Sequence, residues 1–448
     1  MRSSKKNNVV VEWKGTLPNT NIAVDSFLVK NAVAYFLSHA HSDHHVGLSG
    51  KFFQKDDKRK IYCTELTKTL ISAKCPQLSG YFEVLNMNEE RVLFFDGVPI
   101  HVTPLNANHC PGSVMFLFES NHGTTLYTGD FRFEREDLSE NSFSFLKDKK
   151  IDKIFLDSTF CDPMFEHLPT RRQSIDAVIN FLQKDNSQIV YLAFDMLGTE
   201  PLLIAIAQHF NVKLYVDKKA FPANRFREMM SLTFLKKHLT SKPTKFRLVG
   251  HKVLFDMADN PYKNKEGGLL VRGTTMWTRQ EYEQACLHYK KPKVMPNGVH
   301  QFIFSMHSSF SELRHFVKIV NKNKAQVTPL SHAIASVGKG VDVLRYFCDI
   351  SEPVLNQKTR RNYVYKIEDE FDFSYTNHSD ILLTQITSSI EENLTPPTHY
   401  DLTNDDVFDE QHLKRLFEDS PPSKRLREDD VKAEQKSKKI KSLFDLLE

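Results

Sequence analysis

Four metal-ligand side chains, His39, His41, Asp43 and His44, stand within six residues of the run Ser38-His-Ala-His-Ser-Asp-His-His45. Imidazole nitrogens and carboxylate oxygens are good ligands for zinc-like divalent ions. In an extended segment alternate side chains share a face, so His39 and His41 can point to one place. Asp43 and His44 can then turn to a second. Such a run serves two adjacent ions if other segments add ligands. His109, in Asn106-Ala-Asn-His-Cys-Pro-Gly-Ser113, lies on a loop between two strands. Asp130, in Tyr127-Thr-Gly-Asp-Phe-Arg132, lies just past a strand end. A carboxylate there can bridge a pair of ions at ~3.5–4 Å, the arrangement of two-metal hydrolysis. Asp157 and His307 sit at two further polar strand ends. Taken singly, each has a plain structural reading. His109 and His307 could be surface or capped core histidines, Asp130 a turn residue and Asp157 a helix N-cap. The cluster at 39–44 has no such reading. Cys110 fits a structural turn, and a cysteine hydrolase would need an activating His–acid pair beside it.

These residues need strands to hold them. Short β-rich runs recur at Val9–Glu12, Ile22–Asp25, Ala32–Leu37, Lys60–Cys63, Arg91–Phe95, Pro99–Thr103, Val114–Phe118, Thr124–Thr128 and Ile154–Leu156. From about residue 170 the pattern changes. Helical spacing over Arg171–Gln183 and Glu200–His209 alternates with strands at Ile189–Phe194 and Leu214–Val216, which predicts βαβ units and a parallel sheet. A strand at Val299–Ser305 and a helix at Ser311–Val320 follow. After about 366 the composition turns polar and acidic, as in a disordered tail.

Composition excludes several classes. The 448 residues are 40% hydrophobic and 26% charged, which is ordinary for a globular chain of one large domain or about three smaller ones. No apolar run approaches the roughly 18 residues needed to cross a bilayer. The basic start, Met1–Asn8, leads into no long apolar stretch, so no secretory signal is expected. Six cysteines without a C-x-x-C pair read as reduced thiols rather than a disulfide scaffold or zinc ribbon. The net charge of +4 hides an asymmetry: residues 361–448 carry 12 Lys/Arg against 20 Asp/Glu, leaving 48 against 36 in residues 1–360. A basic body suits a polyanion such as nucleic acid, although it also serves solubility.

With these residues in view, the chain resembles the metallo-β-lactamase fold, and within it the β-CASP DNA nucleases of the Snm, Artemis and Apollo group. The resemblance rests on the H-x-H-x-D-H run, Asp25, Ala107–Met115 and Leu126–Arg132. Ile22–Asp25, Phe36–His39, Ser42–His44, Val46–Ser49 and Ser113–Glu119 bring it nearest to the Apollo branch. It extends over roughly residues 16–335. It implies an α/β fold: an αβ/βα sandwich with an inserted β-CASP α/β domain and a disordered C-terminal tail. The expected segments are 9–168 and 297–366 for the sandwich, 169–296 for the insertion and 367–448 for the tail. The implied activity is metal-dependent hydrolysis of DNA, 5′→3′ from free ends of single or double strands, in interstrand crosslink repair or telomere end processing.

The resemblance assigns His39, His41 and His109 to one ion, and Asp43, His44 and His307 to a second, with Asp130 between them. The implied cofactor is a pair of divalent ions, at least one of them zinc. Asp25 matches a buried carboxylate that orients ligand histidines, and Asp157 the first β-CASP carboxylate. Asp25, Asp43, Asp130 and Asp157 are thus the expected catalytic carboxylates. Val327 matches the valine that marks DNA rather than RNA members, although His332 lies close by. Two departures stand out. Ser305-Met306-His307 lacks the aspartate that often precedes this histidine, and Leu197-Gly-Thr-Glu200 carries Thr199 where the group often has a phosphate-holding lysine. Thr199 and Ser158 are the remaining candidates for the substrate phosphate, and Thr199 brings no charge.

Lys424-Arg-Leu-Arg427 and Lys436–Lys441 are spaced like a bipartite nuclear import signal, so a nuclear location is expected. Ile440, Leu443, Phe444 and Leu447 form an apolar edge suited to a protein partner. Tyr400-Asp-Leu-Thr-Asn404 lacks the proline of the Tyr-x-Leu-x-Pro segment by which Apollo-like proteins dock a telomere protein. Three rivals stay open: an RNA-processing endonuclease, a small-molecule ester or thioester hydrolase of the same fold, and a non-catalytic DNA-end binder.

Overall fold

Three sheets position the candidate residues in a computed structural model that describes residues 13–134 and 141–330, apart from 261, 265, 276–285, 287 and 322–324. Val9–Glu12, His332, Tyr400–Asn404, the basic clusters and the apolar edge of the tail lie outside the described residues.

The first sheet is wholly parallel, in the order β1 (Ile22–Val24), β2 (Ala34–Phe36), β3 (Ile61–Cys63) and β4 (Phe82–Val84). Parallel neighbours need crossovers. The helix Glu65–Lys74 lies on the one between β3 and β4, started by the Thr64 hydroxyl accepting from the Thr67 N–H. The second sheet begins as an antiparallel meander, β5 (Arg91–Phe95), β6 (Val98–Asn106), β7 (Val114–Ser120) and β8 (Gly123–Tyr127). Then β9 (Lys153–Leu156) adds parallel to β8.

The two sheets pack face to face. Val114, Phe116 and Phe118 of β7 meet Ile22, Val24, Ala34 and Phe36 of the first sheet. Met115 and Leu117 point the other way, into a second core with Leu126, Ile154 and the helix Phe310–Val320. The side-chain period of two sends alternate residues to opposite faces. Both faces are covered, which is why the sequence here reads as an unbroken apolar run rather than an alternation. This is the expected sandwich.

Between the halves of the sandwich the chain builds a third sheet from β10 (Val190–Ala193), β11 (Leu214–Val216), β12 (Leu239–Thr240), β13 (Phe246–Leu248), β14 (Leu269–Thr274), β15 (Lys293–Val294) and β16 (His300–Ile303). Its order is β12-β11-β13-β10-β14-β16-β15, and only the β15–β16 pair is antiparallel. The helix Arg171–Lys184 enters this region behind a capping box in which Thr170 and Gln173 satisfy each other's backbone N–H. β16 begins past residue 296, where the insertion is expected to end, yet it pairs along its length with β14. The third sheet therefore runs to Ile303. Later strands are laid on both sides of β10, so its carboxyl end is a topological switch point, where open parallel sheets form a crevice. The chain then returns through Phe310–Val320 to β17 (Gln326–Pro329), which closes the second sheet beside β9. Among the described residues no helix is long and apolar enough to cross a membrane.

Candidate metal centre

The expected ligands all leave strand ends. The 38–45 run follows β2, Asp25 ends β1, His109 follows β6, Asp130 follows β8, Asp157 ends β9 and His307 follows β16. Backbone bonds tie these ends together. The Asp25 N–H donates to Phe36 O, Val114 N–H to Ser38 O, Arg132 N–H to Ala107 O and Ser308 N–H to Phe131 O, at 2.8–3.1 Å.

Asp130 is the hub. Its Oδ2 lies 3.2 Å from His44 Nε2 and 3.7–3.9 Å from the Nε2 atoms of His39, His109 and His307. On one side His41 Nδ1 lies 3.0 Å from His39 Nε2 and 2.9 Å from His109 Nε2. On the other, Asp43 Oδ2 lies 3.9 Å from His44 Nε2. His39 and His109 are fully buried, and the Asp43 side chain, 57% exposed, marks the open side. His45 turns away, to 3.5 Å from Lys74 Nζ.

The outward ring nitrogens are all occupied. His39 Nδ1 meets Ser38 Oγ, His41 Nε2 meets Leu197 O, His44 Nδ1 meets Asp25, His109 Nδ1 meets Met306 O and His307 Nδ1 meets Asp157, at 2.8–2.9 Å. Five inward nitrogens therefore converge with their tautomers fixed from behind, as in metal-binding histidines. Burial holds His39 and His109 well below the usual imidazole range, reinforced by neighbouring imidazoles. Burial lowers His41 too, against Leu197 O and Asp130. Burial works on His44 and His307 as well, but carboxylates outweigh it. Asp130 and Asp25 hold His44 well above the usual range, and Asp157 and Asp130 push His307 up to about 8. For Asp130, burial is overcome by His44 and His307, so its carboxyl stays well below the carboxylate range. The donor set fits divalent ions. His39, His41 and His109 come together with Cys110, Asp43 and His44 with Asp130, and His109 and His307 with Asp130, each group close enough to share an ion.

Ser38, Tyr127, Gly129, Arg132 and Thr159, to which the sequence reading gave no role, complete the site. Asp25 accepts from the Ser38 N–H (2.7 Å), Ser38 Oγ (2.5 Å) and Tyr127 OH (3.1 Å) besides His44, from a left-handed backbone at φ 47°. A Cβ on Gly129 (φ 51°) would come within 2.8 Å of Ser38 Oγ, so this turn requires glycine. Asp157 is held by the Thr159 N–H and hydroxyl and the Phe131 N–H. Arg132, fully buried, donates to His307 O, Pro169 O and Glu312 and so anchors the returning segment. Cys110 lies beside His39, His41 and His109. Burial, with Glu200 and Asp130, pushes its thiol well up, against the thiolate that a nucleophile needs.

Three further residues named from the sequence have these surroundings. Ser158 is buried and donates to Leu330 O at 2.7 Å. Thr199 is buried and donates to Phe194 O and Met196 O, both at 2.7 Å. Each hydroxyl proton serves a backbone carbonyl. Val327 packs in the second core with Phe316 and Leu156, away from the ligands. No sequence pattern separates a committed hydroxyl from a free one.

Residues 234–329 match the family described as DNA repair metallo-beta-lactamase. The chain is 34% identical over 308 residues to the 5′ exonuclease Apollo of Gallus gallus, covering 67% of this chain and 60% of that one. It is 29% identical to the DNA cross-link repair protein SNM1 of Arabidopsis thaliana (69% and 64% covered) and 28% to the protein artemis of Rattus norvegicus (74% and 50%). The chain thus spans half to about two thirds of the length of these curated relatives. It belongs to the DNA repair metallo-β-lactamase family, in the group that holds Apollo, Artemis and SNM1.

Proposed function

We propose that the protein is a metal-dependent DNA nuclease that shortens DNA from free 5′ ends and leaves 5′-phosphorylated nucleotides. The observation that carries this reading is the convergence of four imidazole nitrogens on Asp130, with His41 set against two of them, each of the five rings fixed by a partner on its far side. The family, and relatives named as a 5′ exonuclease and a cross-link repair protein, support DNA as substrate. So does the basic body of the chain.

His39, His41 and His109 would hold one divalent ion and Asp43, His44 and His307 the other, with Asp130 between them. Three neutral nitrogens suit zinc at the first place. Two ions supply Lewis acidity toward a phosphodiester and lower the pKa of water toward ~7. The residues do the rest. Asp25 fixes the His44 ring and Asp157 the His307 ring, so that their inward nitrogens stay aimed. Asp43 stands at the open side, where a DNA end would enter. Segments 9–168 and 297–366 would supply the ligands, and 169–296, completed by the strand His300–Ile303, the covering insertion. Crosslink repair or telomere end processing, in the nucleus, is the setting this activity fits, with a further protein partner through the tail.

The test is digestion of 3′-labelled single-stranded DNA, with and without a 5′-phosphate, beside a chelator control and a matched RNA. Chelator-sensitive stepwise shortening of DNA from the 5′ end is expected. Cleavage of RNA alone, or of neither strand by folded, zinc-loaded protein, would overturn the reading.

A further inference from the structure

The insertion brings Leu197 and Gly198 against the ligand residues. Leu197 O accepts from His41 Nε2 at 2.9 Å. Gly198, at φ 103°, sits so close to Met306 and His109 that a Cβ would come within 2.9 Å of His109 O and collide with the Met306 sulfur. The Gly198 N–H donates to Glu200 Oε2 at 2.6 Å. Glu200 is fully buried at the start of the helix Glu200–His209 and pairs with Arg225 at 3.0 Å. Arg225 also donates to Asp195 O at 2.5 Å and meets Glu228 at 3.4 Å. Glu228 pairs closely with Lys74 of the sandwich. Lys74 Nζ donates at 3.0 Å to Ala40 O, the carbonyl between His39 and His41.

The contacts close a ring: His41, Leu197, Gly198, Glu200, Arg225, Glu228, Lys74, Ala40 and back to His41. Its four charges alternate in sign and sum to zero. Their side chains are only 0–11% exposed. Charges buried this deeply need every partner in place. Exposed pairs on the same helices would not have that requirement. The ring begins and ends on one ligand segment, and only its middle lies in the insertion.

We infer that Glu200, Arg225 and Lys74 are positioning residues for the first ion: the ring fixes the His41 imidazole and the Ala40 peptide, and so makes the insertion part of the metal centre. This rests on the metal-centre reading above. The sandwich alone supplies every ligand of the set, but among the described residues the far nitrogen of His41 is held by Leu197 of the insertion and by no residue of the sandwich. Removing a link should therefore loosen one ion and spare the other, whose histidines are held by Asp25 and Asp157.

The experiment measures metal stoichiometry by elemental analysis, affinity by chelator competition and the visible spectrum of cobalt-loaded protein. Near-ultraviolet circular dichroism checks the fold. Wild type is expected to take up two equivalents. Arg225→Met and Lys74→Met should each weaken one equivalent at least tenfold, leave the other unchanged and alter the cobalt spectrum. The double variant should lose no more than the worse single one, because one cut already opens the ring. Glu200→Gln keeps an amide oxygen for the Gly198 N–H but leaves Arg225 one carboxylate short, so it should weaken the same equivalent, by less than Arg225→Met does. Folded variants with two wild-type affinities and an unchanged cobalt spectrum would overturn the ring and leave the metal centre standing. Should Arg225→Met not fold, Lys74→Met at the other end decides alone. Wild-type protein that takes up no metal would overturn both readings.

Discussion

The two halves of the metal centre solve one problem with opposite electrostatics. His39, His41 and His109 are held neutral by burial, and their outward nitrogens meet a hydroxyl and two backbone carbonyls. His44 and His307 lean on the carboxylates of Asp25 and Asp157, which keep both imidazoles above their usual range. The first half is therefore a nearly charge-free nitrogen set, and the second an oxygen-rich set with negative charge behind it. Ligand softness then separates them: the first favours a borderline ion such as zinc, and the second tolerates a harder one.

Asp130 belongs to both halves, so its loss should be the most severe. Asp130→Asn should release both ions and lower DNA cleavage by roughly 10³-fold or more, given that the activity depends on the pair. Elemental analysis and a chelator-controlled digestion check this. A variant that keeps two equivalents would place the bridge elsewhere. Removing one half alone should be cleaner. Asp43→Ala/His44→Ala should leave one tightly held ion, probed by stoichiometry, while cleavage is lost. Full activity in that folded variant would dissolve the distinction between the halves. Cutting the support behind a ligand should cost less again. Asp157→Asn should weaken the second ion about 10–100-fold and spare the first, whereas Ser38→Ala, which touches both His39 and Asp25, should weaken both, as read by chelator competition.

The halves should also respond to pH with opposite signs in chelator-treated protein. The His307 pKa rises from 6.5 to about 8 on folding. Its contribution is complete below 6.5 and disappears as pH rises through 8, worth about 2 kcal/mol. The lowered pKa values of His39 and His109 act the other way: their contribution holds above 6.5 and is lost as pH falls below it. Melting temperature against pH should peak near the imidazole range and decline on both sides. His307→Asn should remove the loss of stability centred near pH 8 and leave the acid limb and the alkaline contribution of His44. A loss near pH 8 that survives this substitution would separate His307 from the effect.

The legible and illegible parts of this site differ in sequence distance. His39, His41, Asp43 and His44 were readable because spacing within six residues carries their geometry. His109, Asp130 and His307 were readable as polar residues just past apolar strands. The support was not readable. Leu197 lies 156 residues from His41, and Tyr127 lies 102 from Asp25. Glu200, Arg225, Glu228 and Lys74 look in sequence like ordinary charges on helices. Only the tertiary approach of the helices Glu65–Lys74 and Ala223–Ser231 turns them into a buried ring. In the same way β7 was legible as an apolar run, whereas the helix Glu65–Lys74 and the short β13 passed unread, since their patterns were weak without their neighbours.

Thr199 gives the smallest expected effect and the sharpest check on reading a site from residue types. Its position after Gly198 invites a role in holding the substrate's terminal phosphate. Its hydroxyl instead closes the Phe194–Thr199 turn by donating to two carbonyls. Thr199→Val keeps the shape and removes both bonds. Stability should fall by about 1–2 kcal/mol, the usual cost of unmet buried acceptors, read by denaturant unfolding. The ratio of cleavage rates on 5′-phosphate and 5′-hydroxyl ends should stay within about twofold of wild type, because a hydroxyl already committed to the backbone has no proton left for a phosphate. A ratio that shifts tenfold toward the hydroxyl end would mean that the turn opens when DNA binds, and would return Thr199 to the substrate pocket.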